Sequence, residues 1–351
     1  MTHRTVFKEQ GVYASFPALY QLPDGALATS FATRTRASHI DPTGGSATML
    51  STDAGVSWHP TDCTIVNPTY DDGNGRLATA EAYGWRYTDP GERDSLEARG
   101  IEVRDVPDGS IGYAHGCYSK LSVDGAASWR TRDLNVPQHA LMMSFHDTAT
   151  FLRYDDRLIM RLVYIRPEAG RRYYELWLLR SEDNGHSWAV VSVAADADCL
   201  IGYGESAILR CTDGDLLCVM RTESPSGTRE RMAMTRSADT GLTWSTPEMT
   251  EMHGHPPDLL RLRDGRIVCT FGYRSDPMGI RAQISEDDGR TFTEDSLVVL
   301  RDDGKPSAEG GRGADLGYPI TIQLPDDSLM TIYYMTCEDG VTHIATTHWA
   351  I

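Results

Sequence analysis

One eight-residue pattern, S-x-D-x-G-x-S/T-W/F, occurs five times in this chain of 351 residues and limits its possible folds more than any other feature. The copies start at Ser51, Ser122, Ser181, Ser237 and Ser285 and end at Trp58, Trp129, Trp188, Trp244 and Phe292. The second copy departs once, placing Ala126 where the others have glycine. Spacings of 71, 59, 56 and 48 residues mark one supersecondary unit used repeatedly, as in propellers and solenoids.

The pattern has a physical logic. Asp and Gly supply a tight turn between strands, the Asp side chain bonding backbone N–H groups and the Gly taking positive φ. The Ser or Thr hydroxyl adds local backbone bonds, and the closing Trp or Phe plugs the gap between neighbouring units. A second repeat lies upstream of the first. Apolar stretches flank turns at Asp24-Gly25, Asp155-Asp156, Asp213-Gly214, Asp264-Gly265 and Asp326-Asp327, each reading as a β-hairpin. In four of the five, the S-x-D-x-G pattern follows the turn by 21 to 27 residues. The unit is therefore strand, turn, strand, loop, strand, pattern, strand. For the copy at Ser122 the hairpin turn is Asp72-Gly73 or Pro107-Asp108-Gly109. The first is favoured, with the strand starting at Arg76, which makes residues 86–110 a long inserted loop. The total is six units, and the last is completed by pairing the segment from His343 with the chain start, which removes open edges.

The repeated pattern is the Asp-box, and the chain resembles the sialidase (neuraminidase) superfamily of Asp-box, or BNR-repeat, propellers over nearly its whole length. The resemblance implies an all-β, six-bladed β-propeller forming one domain over 1–351. Asp-boxes sit on outer hairpins and specify the scaffold. Chemistry belongs at the ends of the innermost strands. Residues entering those strands include Ser15-Phe16, His146-Asp147, Gly204-Glu205, Pro257-Asp258 and Gly317-Tyr318. Arg34, Arg166, Arg221 and Arg274 leave the second strands at positions that read as equivalent.

Members of the superfamily use a Tyr nucleophile, a Glu that activates it, an Asp acid/base and three Arg that grip the substrate carboxylate. The resemblance places Tyr318 as nucleophile and Glu205 as its partner. It gives Arg221 as the second Arg, and Arg274 or Arg281 as the third, with Arg274 preferred by strand register. The acid/base falls in Ser38-His39-Ile40-Asp41, as His39 or Asp41. Arg34, His146, His255 and Asp258 complete the substrate-binding candidates. One position departs from the pattern. Where the family opens with Arg-Ile-Pro, this chain has Ser15-Phe16-Pro17, and a hydroxyl cannot reproduce a bidentate guanidinium fork.

The implied activity is release of a terminal, acidic or sialic-acid-like sugar, through the Tyr mechanism that sets sialidases apart from other glycosidases. A neutral sugar also fits a pocket that lacks the first Arg. Two rivals stand beside it. One is a polysaccharide lyase or His-dependent glycosidase acting on a uronate-containing glycan, with His39 or His255 as proton carrier. The other is a non-catalytic carbohydrate-binding propeller.

Composition narrows the partners. With 33 basic and 50 acidic residues the net charge is -17, which disfavours nucleic acid and anionic membranes. The expected partner is an oligosaccharide or glycoside, and the sequence sets no oligomeric state. No apolar run approaches a membrane span. The histidine spacings match no zinc signature and there is no C-x-x-C pair, so no metal or cofactor is expected. Cys211, Cys218 and Cys269 lie in or beside apolar runs and read as buried free thiols. With no signal peptide visible at Met1, the expected location is cytoplasmic, or secreted if a leader has been removed.

Overall fold

The computed structural model describes residues 1–22, 24–35, 44–62, 70–71, 75–83, 86–106, 108–135, 141–143, 147–166, 173–198, 200–224, 231–307 and 315–351. Among these residues the strands form seven sheets, six of which share one plan. Sheet I comprises Tyr13–Gln21, Leu27–Arg34, Gly44–Ser51 and His59–Pro60, hydrogen-bonded in chain order. Sheet II comprises Tyr70–Asp71, Leu77–Ala82, Cys117–Ser122 and Arg130–Asp133. In sheet III the first strand is split into Leu141–Met143 and Phe151–Arg153, which both pair with Ile159–Arg166, and Glu175–Ser181 and Ala189–Ala194 follow. The strand expected from Thr148 thus begins as a helical turn, Asp147–Thr150. Sheet IV runs through Gly202–Arg210, Leu216–Glu223, Arg231–Ser237 and Glu248–His253, and sheet V through Pro257–Arg261, Ile267–Tyr273, Met278–Ser285 and Val298–Gly304.

Sheet VI takes three strands from the C-terminus, Gly317–Gln323, Leu329–Thr336 and Thr342–Trp349, and its fourth from the N-terminus, Thr2–Phe7. The register Thr2↔His348 and His3↔Thr347 gives the expected pairing of the chain ends. Second strands are buried at their turn-side ends, and Leu329–Thr336 along its entire length. Outer strands such as Arg130–Asp133 are exposed throughout. The chain divides into two compact units, 1–65 with 250–351 and 66–249. The first holds sheets I, V and VI, and the second holds sheets II and III and the first three strands of IV.

Where sequence leads one to expect a loop over 86–110, the structure has a small sheet of Arg86–Thr88, Ile111–Tyr113 and Val103–Asp105, with a short helix Arg93–Ala98. Leu96, Ile101 and Ile111 give it a core of its own. Asp108 and Gly109 lie in the turn of this inserted hairpin, Gly109 N donating to Val106 O at 2.9 Å. In sheet II Tyr70 pairs with Ala78 and Asp71 with Leu77, and the other candidate turn, Asp72-Gly73, lies outside the described residues.

All five Asp-boxes close the same way. Ser51 Oγ donates to Asp53 Oδ1 at 2.8 Å and accepts from Gly55 N at 2.8 Å. Asp53 then accepts from Ser57 N at 2.9 Å and Ser57 Oγ at 2.6 Å. Hydrogen bonds from Ser128 hold the Asp124 carboxyl down to about 2, and those from Thr243 do the same for Asp239. These carboxylates are anions committed to the turn. Two successive residues in each box are left-handed: Ala54 and Gly55 at φ 58° and 81°, and Asn184 and Gly185 at 57° and 84°. Ala126 holds φ 73° without a glycine's freedom.

The boxes also join sheets within each unit. A Cβ on Gly55 would collide with Met330 of sheet VI, one on Gly185 with Ala78 of sheet II, and one on Gly241 with Leu178 of sheet III. The left-handed carbonyls beside these glycines accept bonds from the same neighbours. His348 Nε2 lies 3.0 Å from Ala54 O, Arg76 donates to Asn184 O at 3.3 Å and Arg180 Nε to Thr240 O at 3.0 Å.

Two substitutions at one box position should therefore act in opposite directions. Ala126→Gly relieves a left-handed alanine and should stabilise the fold by about 0.5–1 kcal/mol, net of the added unfolded-state entropy. Gly185→Ala forces a methyl into Ala78 and should destabilise by about 2 kcal/mol or more. Urea unfolding curves of the two variants check both signs.

Candidate functional site

Three of the inner strands carry the same irregularity. In sheet I, Ser15 pairs with Ala32 and Ala18 with Ser30, so Phe16 and Pro17 oppose the single residue Phe31. In sheet VI, Gly317 pairs with Tyr334 and Ile320 with Ile332, so Tyr318 and Pro319 oppose Tyr333. In sheet IV, Tyr203 pairs with Thr222 and Ser206 with Met220, so Gly204 and Glu205 oppose Arg221. Each is a one-residue β-bulge, a device that re-aims a side chain and recurs beside active sites. The candidate residues Glu205 and Tyr318 thus lie inside their strands rather than ahead of them. Phe16 and Tyr318 hold φ of 55° and 48°, which for a bulky side chain is a genuine backbone outlier.

In the unit containing sheets I, V and VI, Tyr318 stands in an aromatic group. Its ring meets Phe16 edge-on at 4.6 Å and stacks on Tyr334 at 5.9 Å, and Phe16 meets Tyr334 at 5.5 Å. Beside them is Asp315, 4% exposed. Tyr334 donates to Asp315 Oδ1 at 2.7 Å, and Tyr13 donates to Oδ2. Arg274 places its guanidinium 3.6 Å from Oδ1 and donates from Nε to Leu316 O at 3.0 Å. Burial, then the Asp315 charge, pushes both tyrosine hydroxyls far above their ordinary range, so each remains a neutral donor. Asp315, Tyr13 and Tyr334 escape the sequence reading because no motif marks them. The only hint is an Asp three residues before Tyr318.

In the unit containing sheets II and III, Arg221 donates to Glu205 Oε2 at 2.9 Å and reaches Glu223 at 3.2 Å. Glu205 and Arg221 face each other across the bulge. Counted from the hairpin turn, Arg34, Arg166 and Arg274 share one position of the second strand, each seven residues past its start at Leu27, Ile159 and Ile267. Arg221 does not share it. It lies two residues nearer the turn, on the same strand face, and Glu223 occupies the position equivalent to the other arginines. Arg166 is ion-paired to Glu102 of the inserted segment and lies 4.6 Å over the Tyr174 ring.

The remaining candidates are placed as follows. Arg281 is 6% exposed and spends its guanidinium on the carbonyls of Pro277, Ile280 and Arg301. Arg34 lies opposite Tyr13 in register. Ser15 is fully buried, its Oγ without a hydrogen-bond partner among the described residues. His255 is 3% exposed and its backbone N donates to Gly272 O at 2.9 Å. His39, Asp41 and His146 lie outside the described residues. Cys211, Cys218 and Cys269 are buried free thiols. No helix among the described residues is long and apolar enough to cross a membrane.

Asp258 lies in the first strand of sheet V and turns toward sheet VI. It accepts from Thr321 N at 2.8 Å, beside Thr270 and Thr331, whose hydroxyls lie 3.0 and 2.9 Å from that of Thr321. Burial pushes its carboxyl up to about 7, against the backbone N–H bonds that favour the anion. A raised folded-state value means that this group's contribution is fully present below about pH 4 and is lost as pH rises through about 7. Asp258→Asn keeps an acceptor and removes the titration. Relative to wild type it should gain stability between about pH 4 and 7, by up to about 4 kcal/mol, and hold that gain above. Denaturant curves across this pH range check it, and parallel curves would count against a titrating Asp258.

Comparison with known proteins gives the fold its relatives. Residues 108–333 match the family described as BNR repeat-like domain. No curated protein matches the sequence. A protein of unknown function from Dyadobacter fermentans superposes with a TM-score of 0.79 at 23% identity, over 99% of this chain and 98% of the other. The alpha-L-arabinanase of Penicillium chrysogenum, solved with arabinobiose, gives 0.61 at 12% identity, over 100% and 98%. The NanB sialidase of Streptococcus pneumoniae gives 0.56 at 14% identity, over 99% of this chain and 70% of that one. At these identities the likeness carries the fold alone, an all-β β-propeller. The family match spans more than half of the sequence, and the chain belongs to the BNR repeat-like domain family.

Proposed function

We propose that the chain is a glycoside hydrolase that releases a terminal sugar, with Tyr318 as nucleophile and Glu205 as the carboxylate that serves it. The observation that carries this reading is the repeated bulge. A buried tyrosine and a buried glutamate each lie where one extra residue breaks the ladder. Backbone outliers held at a cost cluster at functional sites, and the solved relatives include a sialidase and an arabinanase.

The chemistry follows from these groups. Tyr318 Oη attacks the anomeric carbon as the bond to the leaving oxygen breaks. His39 or Asp41 donates the proton that the leaving oxygen needs. On this reading Glu205 takes the Tyr318 proton as the tyrosyl–sugar bond forms; water then cleaves that bond, its hydroxyl going to the sugar and its proton to His39 or Asp41, and Glu205 returns the proton to Tyr318.

Tyr318→Phe retains the ring that packs on Phe16 and Tyr334 while removing the hydroxyl. It should lower kcat on the true substrate by at least about a hundredfold with an unchanged unfolding curve. Glu205→Gln should cost a comparable factor. Full turnover by the Phe variant would remove the Tyr mechanism. Binding of glycans by wild type with no cleavage of any would instead favour a carbohydrate-binding propeller.

A further inference from the structure

The segment inserted into sheet II reaches the surroundings of Glu205, and every residue concerned lies in the compact unit 66–249. The segment leaves sheet II at the end of its second strand, Leu77–Ala82, and returns at Cys117, its base closed by Tyr83 N donating to Gly116 O at 3.0 Å. Second-strand ends also carry Arg166 in sheet III and Glu223 in sheet IV. Some ion pairs of the segment are internal, as those of Arg93 with Glu97 and Asp105 are, and such exposed pairs contribute little. Glu102 differs. One of its carboxylate oxygens accepts from Arg104 at 3.4 Å, and the other accepts from Arg166 of sheet III. The Arg166 guanidinium lies 4.6 Å over the ring of Tyr174. Tyr174 O in turn accepts from Tyr203 N at 2.9 Å, just ahead of the bulge at Gly204-Glu205. Burial raises the Tyr174 hydroxyl above its ordinary value, and the charges of Arg166, Arg104, Glu102 and Glu223 all act on it. Glu223 faces Arg221, which faces Glu205. A connected row of polar groups therefore leads from the inserted segment to Glu205.

The outer end of this row is open to solvent. The side chains of Arg104 and Glu102 are 35% and 36% exposed. Tyr87, 39% exposed, lies in one cross-strand row with Arg104, and buried Gly112 between them contributes no side chain. These residues share the face opposite to that of Ile111, which fills the segment's own core. Taking Glu205 as part of the glycan site, as proposed above, we infer that this face of the inserted segment is a substrate subsite: Arg104 and Glu102 bind neighbouring hydroxyls of a glycan, and the Tyr87 ring covers an apolar face of the sugar. A guanidinium presents parallel N–H donors and a carboxylate two acceptor oxygens, so the adjacent pair matches vicinal hydroxyls, which both donate and accept. A tyrosine ring supplies contact area at little conformational cost. A segment with a core of its own holds these groups more firmly than a bare loop would. The subsite selects which glycan reaches Glu205 and takes no part in bond breaking.

The experiment is titration calorimetry with arabinobiose, xylobiose, lactose and 3′-sialyllactose as probes, on wild type, Arg104→Ala, Tyr87→Ala, Arg93→Ala and Glu205→Gln. For the probe that wild type binds most tightly, Arg104→Ala should raise Kd at least about tenfold and Tyr87→Ala at least about threefold, with unfolding curves unchanged. Arg93→Ala, whose partners Glu97 and Asp105 are internal to the segment, should leave Kd as it is. On a substrate that is cleaved, Arg104→Ala should raise KM by the same factor and leave kcat unchanged, the mark of binding shared by ground and transition states. An unchanged Kd in both Arg104→Ala and Tyr87→Ala overturns the inference, and loss of cleavage in Glu205→Gln would then leave the glycan-site reading standing. Weakened binding in both segment variants with full cleavage by Glu205→Gln does the reverse. Failure of wild type to bind any of the four probes overturns both.

Discussion

The structure depends on how closely one sheet's backbone can approach the next. A four-stranded sheet that is apolar on both faces gains its stability only when both faces are covered. The Asp-box provides that approach at the outer turns. Its left-handed pair brings a glycine without a Cβ against the neighbouring sheet, at Met330, Ala78 and Leu178. The adjacent carbonyl then accepts a bond from the same sheet. The Ser–Asp hydrogen bonds fix this turn locally, so it forms alike in every copy regardless of the sheet it meets. Inner strands positioned this way can carry irregularities that an isolated hairpin could not sustain.

The charged residues show a second pattern. Most of the chain's acidic excess lies on the surface, but a few carboxylates are drawn inward and each has a specific partner. Asp315 receives two hydroxyls and a guanidinium, and Glu205 receives Arg221 across a bulge. Asp258 accepts from the backbone amides of Thr321 and Leu259, and burial shifts it toward the protonated form. Among the described residues a buried carboxyl is thus held either beside a guanidinium, as Asp315 and Glu205 are, or by backbone amides, as Asp258 is. The first kind holds an arginine beside a bulged strand, and the second fastens sheet V to sheet VI.

The scaffold was legible because its signals are local. An Asp-box needs eight contiguous residues, and a hairpin turn needs two, so counting between them located the strands. The site was legible only in part, because its geometry depends on pairing. A bulge is a property of two strands, and nothing in Ser15-Phe16-Pro17 or Gly317-Tyr318-Pro319 announces one without the partner's register. Arg221 reads as equivalent to Arg34, Arg166 and Arg274 only because each is an arginine near the end of a second strand; the pairing register puts it five residues past Leu216, where the others lie seven past Leu27, Ile159 and Ile267. Asp315 and Glu102 were not visible at all, since each acts from a connecting or inserted segment on an arginine far away in sequence.

The strained residues in sheets I and VI support one another. Phe16 and Tyr318 each hold a left-handed φ, at a cost of about 1–3 kcal/mol apiece. Their rings meet each other and both meet Tyr334, and each such contact contributes about 0.5–1.5 kcal/mol beyond simple burial. The two sums are of similar size, so the aromatic group offsets the bulges that create it. Tyr334 is also tied to Asp315 through its hydroxyl, and Asp315 in turn to Tyr13 on the bulged strand of sheet I. The hydrogen-bond network and the ring cluster therefore constrain the same two bulges from opposite ends. Loss of either should let the backbone relax toward a regular ladder, which would carry the Tyr318 side chain to the other face of its strand. The position of that hydroxyl is thus a property of the whole group rather than of Tyr318 alone.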